Sequence, residues 1–320
     1  MSRRQAFPTT GAVLTRRDAV QTFGGAGARV CRRSSFSSDG FTVTDIERDT
    51  LRLGHITYSN CFPVHARVID RGAPDGVEVV EGVPSYLNGL LERGEIDVAP
   101  SSSIEYARHA ERYRILPDLV IGSRGPVRSI LFLSRRHPSE LADATVAMPT
   151  ASATSVVLLK ILLAKRWSVR PQTVWFDQAR QDPFAAGADA ALFIGDVALR
   201  GDLYPDLPHR FDLGAEWWDH TGLPFAFAVW QAASGSDAQL AALHRTLVES
   251  RAYGTENRAM LAEKYAAHFG FTPAFLDSYW AGLSFDLDQP MIEGLRTYYR
   301  LAAEIGEIAA EPELRWVPAG

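Results

Sequence analysis

The chain is poor in cysteine: only Cys31 and Cys61 occur in 320 residues, and they form no metal-ligand pattern. That excludes a disulfide framework and makes a reducing cytoplasm the expected location. No apolar run reaches the length of a bilayer span, so no membrane partner is expected. Positive charge is also short. Lys and Arg number 33 against 38 Asp and Glu, a formal net charge of −5, which argues against nucleic acid or an anionic membrane as the main partner. A small anionic ligand stays compatible, because its site needs only a few local donors. The 8 histidines contain no HxxxH or HxH pair, so no metal site is expected. There is no GxSxG elbow, and "IGSRGPVRS" has glycines but no lysine in a P-loop frame.

What is present is an ordinary globular composition, 46% hydrophobic and 22% charged, over a length that allows two lobes. The first 49 residues stand apart. They are rich in Arg, Ser and Gly and carry no helix or strand period. Arg16 and Arg17 in "LTRRDAVQTFGGAGARV" faintly resemble a twin-arginine export signal, but the following apolar stretch is interrupted by Gln21 and closed by Arg29. A disordered extension from an over-long translation start is the expectation for 1–49.

From Thr50 onward short apolar runs alternate with amphipathic segments, the pattern of an α/β fold. Strands are expected at 51–56, 96–100, 129–134, 144–149, 173–176, 188–195 and 223–232. Helices are expected at 84–94, where Pro84 opens and Gly94 closes, at 102–112 with a Ser102/Glu105 capping box, at 152–167 and from Asp196. A helical C-terminal tail follows at 237–253, 255–269, 273–282 and 288–308, with breaks at Gly254, Gly270 and Pro290. The layout predicts a two-lobed type II periplasmic-binding-protein-like fold with a ligand cleft between the lobes. Crossovers near 134–140 and 221–226 give a first lobe of 50–134 and 226–320 and a second lobe of 135–225.

Several expected strands end in a polar turn that opens a helix. Thr57-Tyr58-Ser59-Asn60, Ser101-Ser102-Ser103, Ser152-Ala153-Thr154-Ser155 and Gly195-Asp196 are these turns. Ligands of open α/β sheets bind beyond the carboxyl ends of the strands, where helix N-termini favour carboxylates and phosphates. Each such Ser, Thr or Asn is also readable as a cap worth about 1 kcal/mol. Their recurrence in both lobes shifts the balance toward an anion in the cleft. Other polar residues stay open. His55 reads as packed, Trp217 and Trp218 as seam packing or a stacking platform, Asp196 and Asp219 as bases or caps. Arg128 reads as a carboxylate partner or a solvated side chain.

The stretches "HITYSNCFP" (55–63), "GVPSYLNGLLERGEIDVAPSSSIEYAR" (82–108), "SATSVVLLKILL" (152–163), "ALFIGDVAL" (191–199) and "DLGAEWWDHTGLPFAFAVW" (212–230) closely resemble the chorismate dehydratases of the futalosine route to menaquinone. The resemblance runs in order from about Leu51 to Trp230. It implies a cytoplasmic enzyme of the periplasmic-binding-like fold, without metal or organic cofactor, that converts chorismate to 3-[(1-carboxyvinyl)oxy]benzoate. It implies Asn60 at the reacting centre, Ser129 bonded to substrate, and Ser102, Ser103, Ser152, Thr154 and Ser155 in carboxylate-binding turns. Tyr58, Gly195 and Asp196 are expected to line the same cleft. Ser59 departs from the aliphatic or small apolar residue the pattern favours. The sister dihydroxynaphthoate synthase depends on a histidine after the second-lobe strand, where this chain has "TASATS". A non-enzymatic solute-binding protein on the same fold is the competing class, and a homodimer is compatible with the apolar run and the tail.

Overall fold

The computed structural model describes residues 50–201 and 203–319; the expected extension at 1–49 lies outside the described residues. The described chain begins with β1 (Leu51–Ile56), α1 (Phe62–Arg71), β2 (Val77–Gly82), α2 (Pro84–Glu92), β3 (Val98–Ser102), α3 (Ser103–Arg108) and β4 (Arg114–Ser123). Next come β5 (Ile130–Ser134), β6 (Thr145–Pro149), α4 (Ala153–Lys165), β7 (Gln172–Phe176), β8 (Ala190–Ile194), α5 (Gly195–Ala198), β9 (His209–Asp212) and α6 (Leu213–Thr221). The remainder is β10 (Phe225–Ala232), α7 (Asp237–Glu256), α8 (Arg258–Phe269), α9 (Pro273–Ala281) and α10 (Gln289–Glu304).

The strands make two five-stranded sheets, in the orders β2-β1-β3-β10-β4 and β7-β6-β8-β5-β9. In the first sheet β1 is parallel to β2 and β3, while β10 runs antiparallel to β3 and β4. In the second, β6 is parallel to β7 and β8, while β5 runs antiparallel to β8 and β9. The carboxyl ends of β1, β3, β6 and β8 and the amino ends of β5 and β10 therefore share one edge of their sheets. Register fixes this: Ile130 pairs with Ile194, and Ala228 pairs with Ser102. "LPFAFAVWQA" does return to the first sheet, as β10.

Four expectations need correction. Strand β5 sits in the second sheet, so the first crossover lies between Ser123 and Ile130 and not at 134–140. Its apolar residues gave no sign of which sheet they would join. The Ser102/Glu105 capping box is absent: the Ser102 side chain makes no cap bond, and Glu105 pairs with Arg108 at 2.8 Å. Ser102 is still in ladder register with Ala228, which takes it away from cap geometry. Gly254 does not break the tail, since α7 continues to Glu256. A Cβ there would lie 2.1 Å from the Pro63 carbonyl oxygen, so Gly254 permits the close contact of α7 with α1. Finally, α1, β2, β4, β9 and α6 were not anticipated.

Helix α4 shows why local pattern and position agree elsewhere. Val156 to Leu159 and Ile161 to Leu163 are all buried, so it is apolar almost all round. Such a helix must be covered on several sides. It packs against α3, α10 and β10 of the first lobe and α6 and β8 of the second. Burying each of its leucines contributes roughly 2 kcal/mol. A seam helix this well covered holds the two lobes together and anchors the turn at its own N-terminus. That turn is capped by Ser152, whose Oγ accepts the Ser155 N–H.

Candidate active site

The turn after β1 carries the first group of residues. It is short and tight, with the Cys61 N–H donating to the Tyr58 carbonyl at 3.2 Å, and α1 starts directly behind it at Phe62, with Pro63 in its first turn. From the second lobe, Asp196 meets it at the start of α5. Its carboxylate accepts the Ser59 hydroxyl at 2.5 Å and the Ser59 N–H at 3.2 Å. Burial raises the Asp196 pKa, and the two Ser59 bonds act against that rise. The neighbouring Gly195 has a φ of +63°, and a Cβ on it would come within 2.8 Å of the Tyr58 ring. Glycine is thus required twice here, for backbone conformation and for contact. Tyr58 is half-buried, and burial followed by the Asp196 charge raises its pKa.

Ser129 enters from the amino end of β5, beside Gly195, whose N–H donates to the Ser129 carbonyl at 2.8 Å. The preceding Arg128 has a φ of 65°. A non-glycine residue in that region is strained unless its surroundings hold it. Asp212 does so: its carboxylate accepts the N–H groups of Val127 and Arg128 on one side and of Gly214 and Ala215 on the other. Tyr58, Asn60, Ser129, Gly195 and Asp196 are thereby brought together.

Two of these side chains stand out. Asn60 Oδ1 and Ser129 Oγ are buried and have no hydrogen-bond partner within the protein. Buried polar atoms are nearly always bonded, and leaving one unpaired costs about 1–3 kcal/mol. The Gln231 Oε1 and Tyr279 hydroxyl share that condition. Gln231 has a structural role, its amide donating to the Ser101 and Ser102 carbonyls.

The second group meets across the seam between α3 and α4. The Ile104 N–H donates to Thr154 Oγ1 at 3.3 Å, Tyr298 donates to the Thr154 carbonyl, and Tyr299 donates to the Ser103 carbonyl. Ser103 donates to the Ala226 carbonyl and Ser152 to Ser155 Oγ. Those two hydroxyl protons are engaged within the protein. Ser101 and Ser102 are held from α2 by Asn88 Oδ1. Since β1 and β3 are paired in register at Leu53 and Val98, the Thr57–Asn60 turn begins beside Ser102. At the Ser152 end a groove of about 340 Å³ is bordered by Asn88, Arg108, Lys160 and Trp175. Its cations are matched, Arg108 to Glu105 at 2.8 Å and Lys160 to Glu307 at 2.7 Å.

Other candidates resolve as packing or surface residues. Trp217 is fully buried and donates to the Pro224 carbonyl, whereas Trp218 is exposed. Arg128 donates to Ser278 and lies over the Phe275 ring. Asp219 is exposed near Arg166.

One cluster was not signalled by spacing. His55, Cys61 and His65 place ligand-type atoms within 4.8 Å of one another. Trp230 Nε1–H donates to His65 Nε2 at 3.0 Å, and the two histidine Nδ1 atoms are 3.0 Å apart. With its Nε2 accepting, neutral His65 carries its proton on Nδ1 and donates to His55. The Cys61 thiol is pushed up to about 12 by burial, so it stays protonated. A cation here would have to displace the Trp230 bond, and the donor set reads as a hydrogen-bond chain bracing the turn.

Comparison with known proteins bears on what this arrangement serves. A model described as menaquinone biosynthesis matches residues 51–304. The chorismate dehydratase of Thermus thermophilus is 32% identical over 261 residues, covering 77% of this chain and 93% of its own. The chain belongs to the menaquinone biosynthesis family. Solved structures agree on the family's fold. A crystal structure of an Archaeoglobus fulgidus protein aligns with a TM-score of 0.67 at 20% identity, over 81% of this chain and 99% of that one. The periplasmic aliphatic sulphonate binding protein of Escherichia coli aligns at 0.58 and 14% identity, over 83% and 90% of the chains. The two-lobed periplasmic-binding-protein-like fold expected from the sequence is the fold of this family member.

Proposed function

We propose that the protein is a carbon–oxygen lyase that removes water from chorismate to give 3-[(1-carboxyvinyl)oxy]benzoate, acting in the cytoplasm. The observation that carries this reading is the pair of buried polar atoms without partners within the protein, Asn60 Oδ1 on the turn after β1 and Ser129 Oγ just before β5. The name of the Thermus thermophilus relative supports the choice of substrate.

In the reaction the ring carbon bearing the enolpyruvyl ether loses its proton. The electron pair forms a ring double bond as the neighbouring C–O bond breaks, and the hydroxyl leaves with a proton as water. Aromatisation drives the elimination, so the protein's tasks are orientation, water exclusion and hydrogen bonding to the departing oxygen. Asn60 and Ser129 address the reacting end. The turns at Ser102–Ser103 and Ser152–Ser155, with the start of α4, hold the carboxylates through their backbone N–H groups and the hydroxyls of Ser102, Thr154 and Ser155, while the Ser103 and Ser152 hydroxyls brace the turns. The carboxylate of the enolpyruvyl arm takes the ring proton and returns it to the departing hydroxyl.

The test is incubation of the purified protein with chorismate, following product mass and aromatic absorbance. Conversion is expected, with a loss on the order of a hundredfold in Asn60→Ala. No conversion, with tight binding of another small anion, would instead mark a solute-capture protein. Near-normal turnover by Asn60→Ala or Asn60→Asp would remove Asn60 from the mechanism.

A further inference from the structure

We infer that Tyr279, on α9, is a third residue at the reacting end, beside Asn60 and Ser129, and donates its hydroxyl to the departing oxygen. The inference rests on the proposed elimination. Tyr279 is 1% exposed, and its hydroxyl, like that of Ser129, has no hydrogen-bond partner within the protein. The two hydroxyls lie side by side: a hydrogen-bonding interaction with Ser129 lowers the Tyr279 pKa against the effect of burial, but the geometry falls short of a formed hydrogen bond, and each oxygen is left without a full partner.

The position of α9 is set by the active-site turn itself. Trp280, the next residue, donates Nε1–H to the Ser59 carbonyl at 2.7 Å, one residue before Asn60. Its ring stacks on Phe62 at 5.2 Å between centroids, just after the same turn. Consecutive residues of one helix thus address the two halves of the reacting end: Trp280 the turn with Asn60, Tyr279 the strand start with Ser129. Arg128 lies over the Tyr279 ring from the other side, 5.9 Å from its centroid.

A buried tyrosine with a structural duty bonds a carbonyl or carboxylate, as Tyr298, Tyr299 and Tyr106 do here. Tyr279 does not. Phenylalanine would fill the same volume without an unpaired hydroxyl, so the hydroxyl answers to something absent from the protein's own bonding. Burial, with the charges of Asp196 and Asp212, raises the Tyr279 pKa, which keeps the phenol a donor throughout the physiological range. It therefore shares its hydrogen with the leaving oxygen without giving it up. The proton that completes the water molecule is the one taken from the ring carbon, carried by the arm carboxylate, so the tyrosine begins and ends neutral.

The experiment is steady-state turnover of chorismate by the full chain and by Tyr279→Phe, with thermal melts of both. Tyr253→Phe, which loses a bond to Asp70 near the C-terminal end of α1, is the control. We expect Y279F to lose kcat by on the order of a hundredfold with KM nearly unchanged, while its melting temperature is equal to or above that of the parent. Y253F keeps its kcat. Parent-like kcat in Y279F overturns the inference and leaves the elimination standing. A clearly lowered melting temperature in Y279F overturns it as well, because the hydroxyl would then be a structural group. A parent protein that leaves chorismate unconverted overturns both readings.

Discussion

Acid should unfold this protein earlier than its carboxylates alone require, and His55 and His65 are the reason. Burial, with a smaller push from His268, holds His55 at about 4, against an ordinary 6.5. His65 is likewise held well below 6.5 by complete burial and by His55. Both groups are neutral when folded and take protons when unfolded. Their stabilisation is thus complete above 6.5 and is lost as the pH falls toward the folded values. A proton arriving at His55 Nδ1 would face the N–H of His65 3.0 Å away, so the chain cannot simply absorb it. Each histidine costs about 1.4 kcal/mol of stability per pH unit within the window. Between about pH 7 and pH 5, His55 alone removes about 2 kcal/mol, and His65 acts in the same direction. That is a sizeable part of the 5–15 kcal/mol typical of a domain. Asp70 and Asp97, pulled below 3.8 by Lys264 and Arg52, respond only at lower pH. Asp196 and Glu216, raised by burial, act with opposite sign, so the slope difference between parent and His55→Asn is the quantity to measure. Urea titrations across that range should show a shallower pH dependence in His55→Asn by about one proton. Equal slopes would refute the buried neutral pair.

Two further outcomes test the lobe junction. Gly195→Ala forces a side chain into a φ of +63° and against the Tyr58 ring at 2.8 Å. It should cost about 2 kcal/mol in urea unfolding and most of the turnover; a parent-like variant would show that the turn and α5 are not in firm contact. Ser59→Ala removes the 2.5 Å hydroxyl bond to the buried Asp196 carboxylate and should cost about 2 kcal/mol. It should also raise the Asp196 pKa further, measurable by carboxyl NMR titration, and an unmoved pKa would contradict that contact.

The strands that could be read in advance are those whose residues are apolar without interruption. "VAMP", "ALFI" and "FAFAVW" are buried on both faces, and such runs carry their own signal. Strand β4 was lost because Pro117 and a left-handed Asp118, φ 61°, interrupt its middle. Strand β9 is only four residues long, with none fully buried. Helix α1 begins at Phe62, directly after the polar cluster, and its apolar residues carry no separate start signal beyond Pro63. The sheet membership of β5 is decided by pairing with Ala190–Ile194, far along the chain, and nothing within its five residues encodes that choice.

The same division runs through the site. Asn60 and Ser129 stand in distinctive local motifs, and both carry a polar atom left unpaired within the protein. Tyr279 carries no such mark. In "PAFLDSYWA" it repeats with Leu276 and Trp280 on the buried face of an amphipathic helix, where an aromatic residue is ordinarily packing. Only the three-dimensional accounting of donors and acceptors separates it from Tyr298 and Tyr299, which look alike in sequence and are bonded in the fold. Ser59 is the mirror case. Its motif position suggested a packing neighbour of Asn60, yet its hydroxyl and N–H both bond a carboxylate from the other lobe. Motif position identified residues whose neighbours are local. Those whose partners are brought in from another lobe became visible only once each buried polar atom was asked what it bonds.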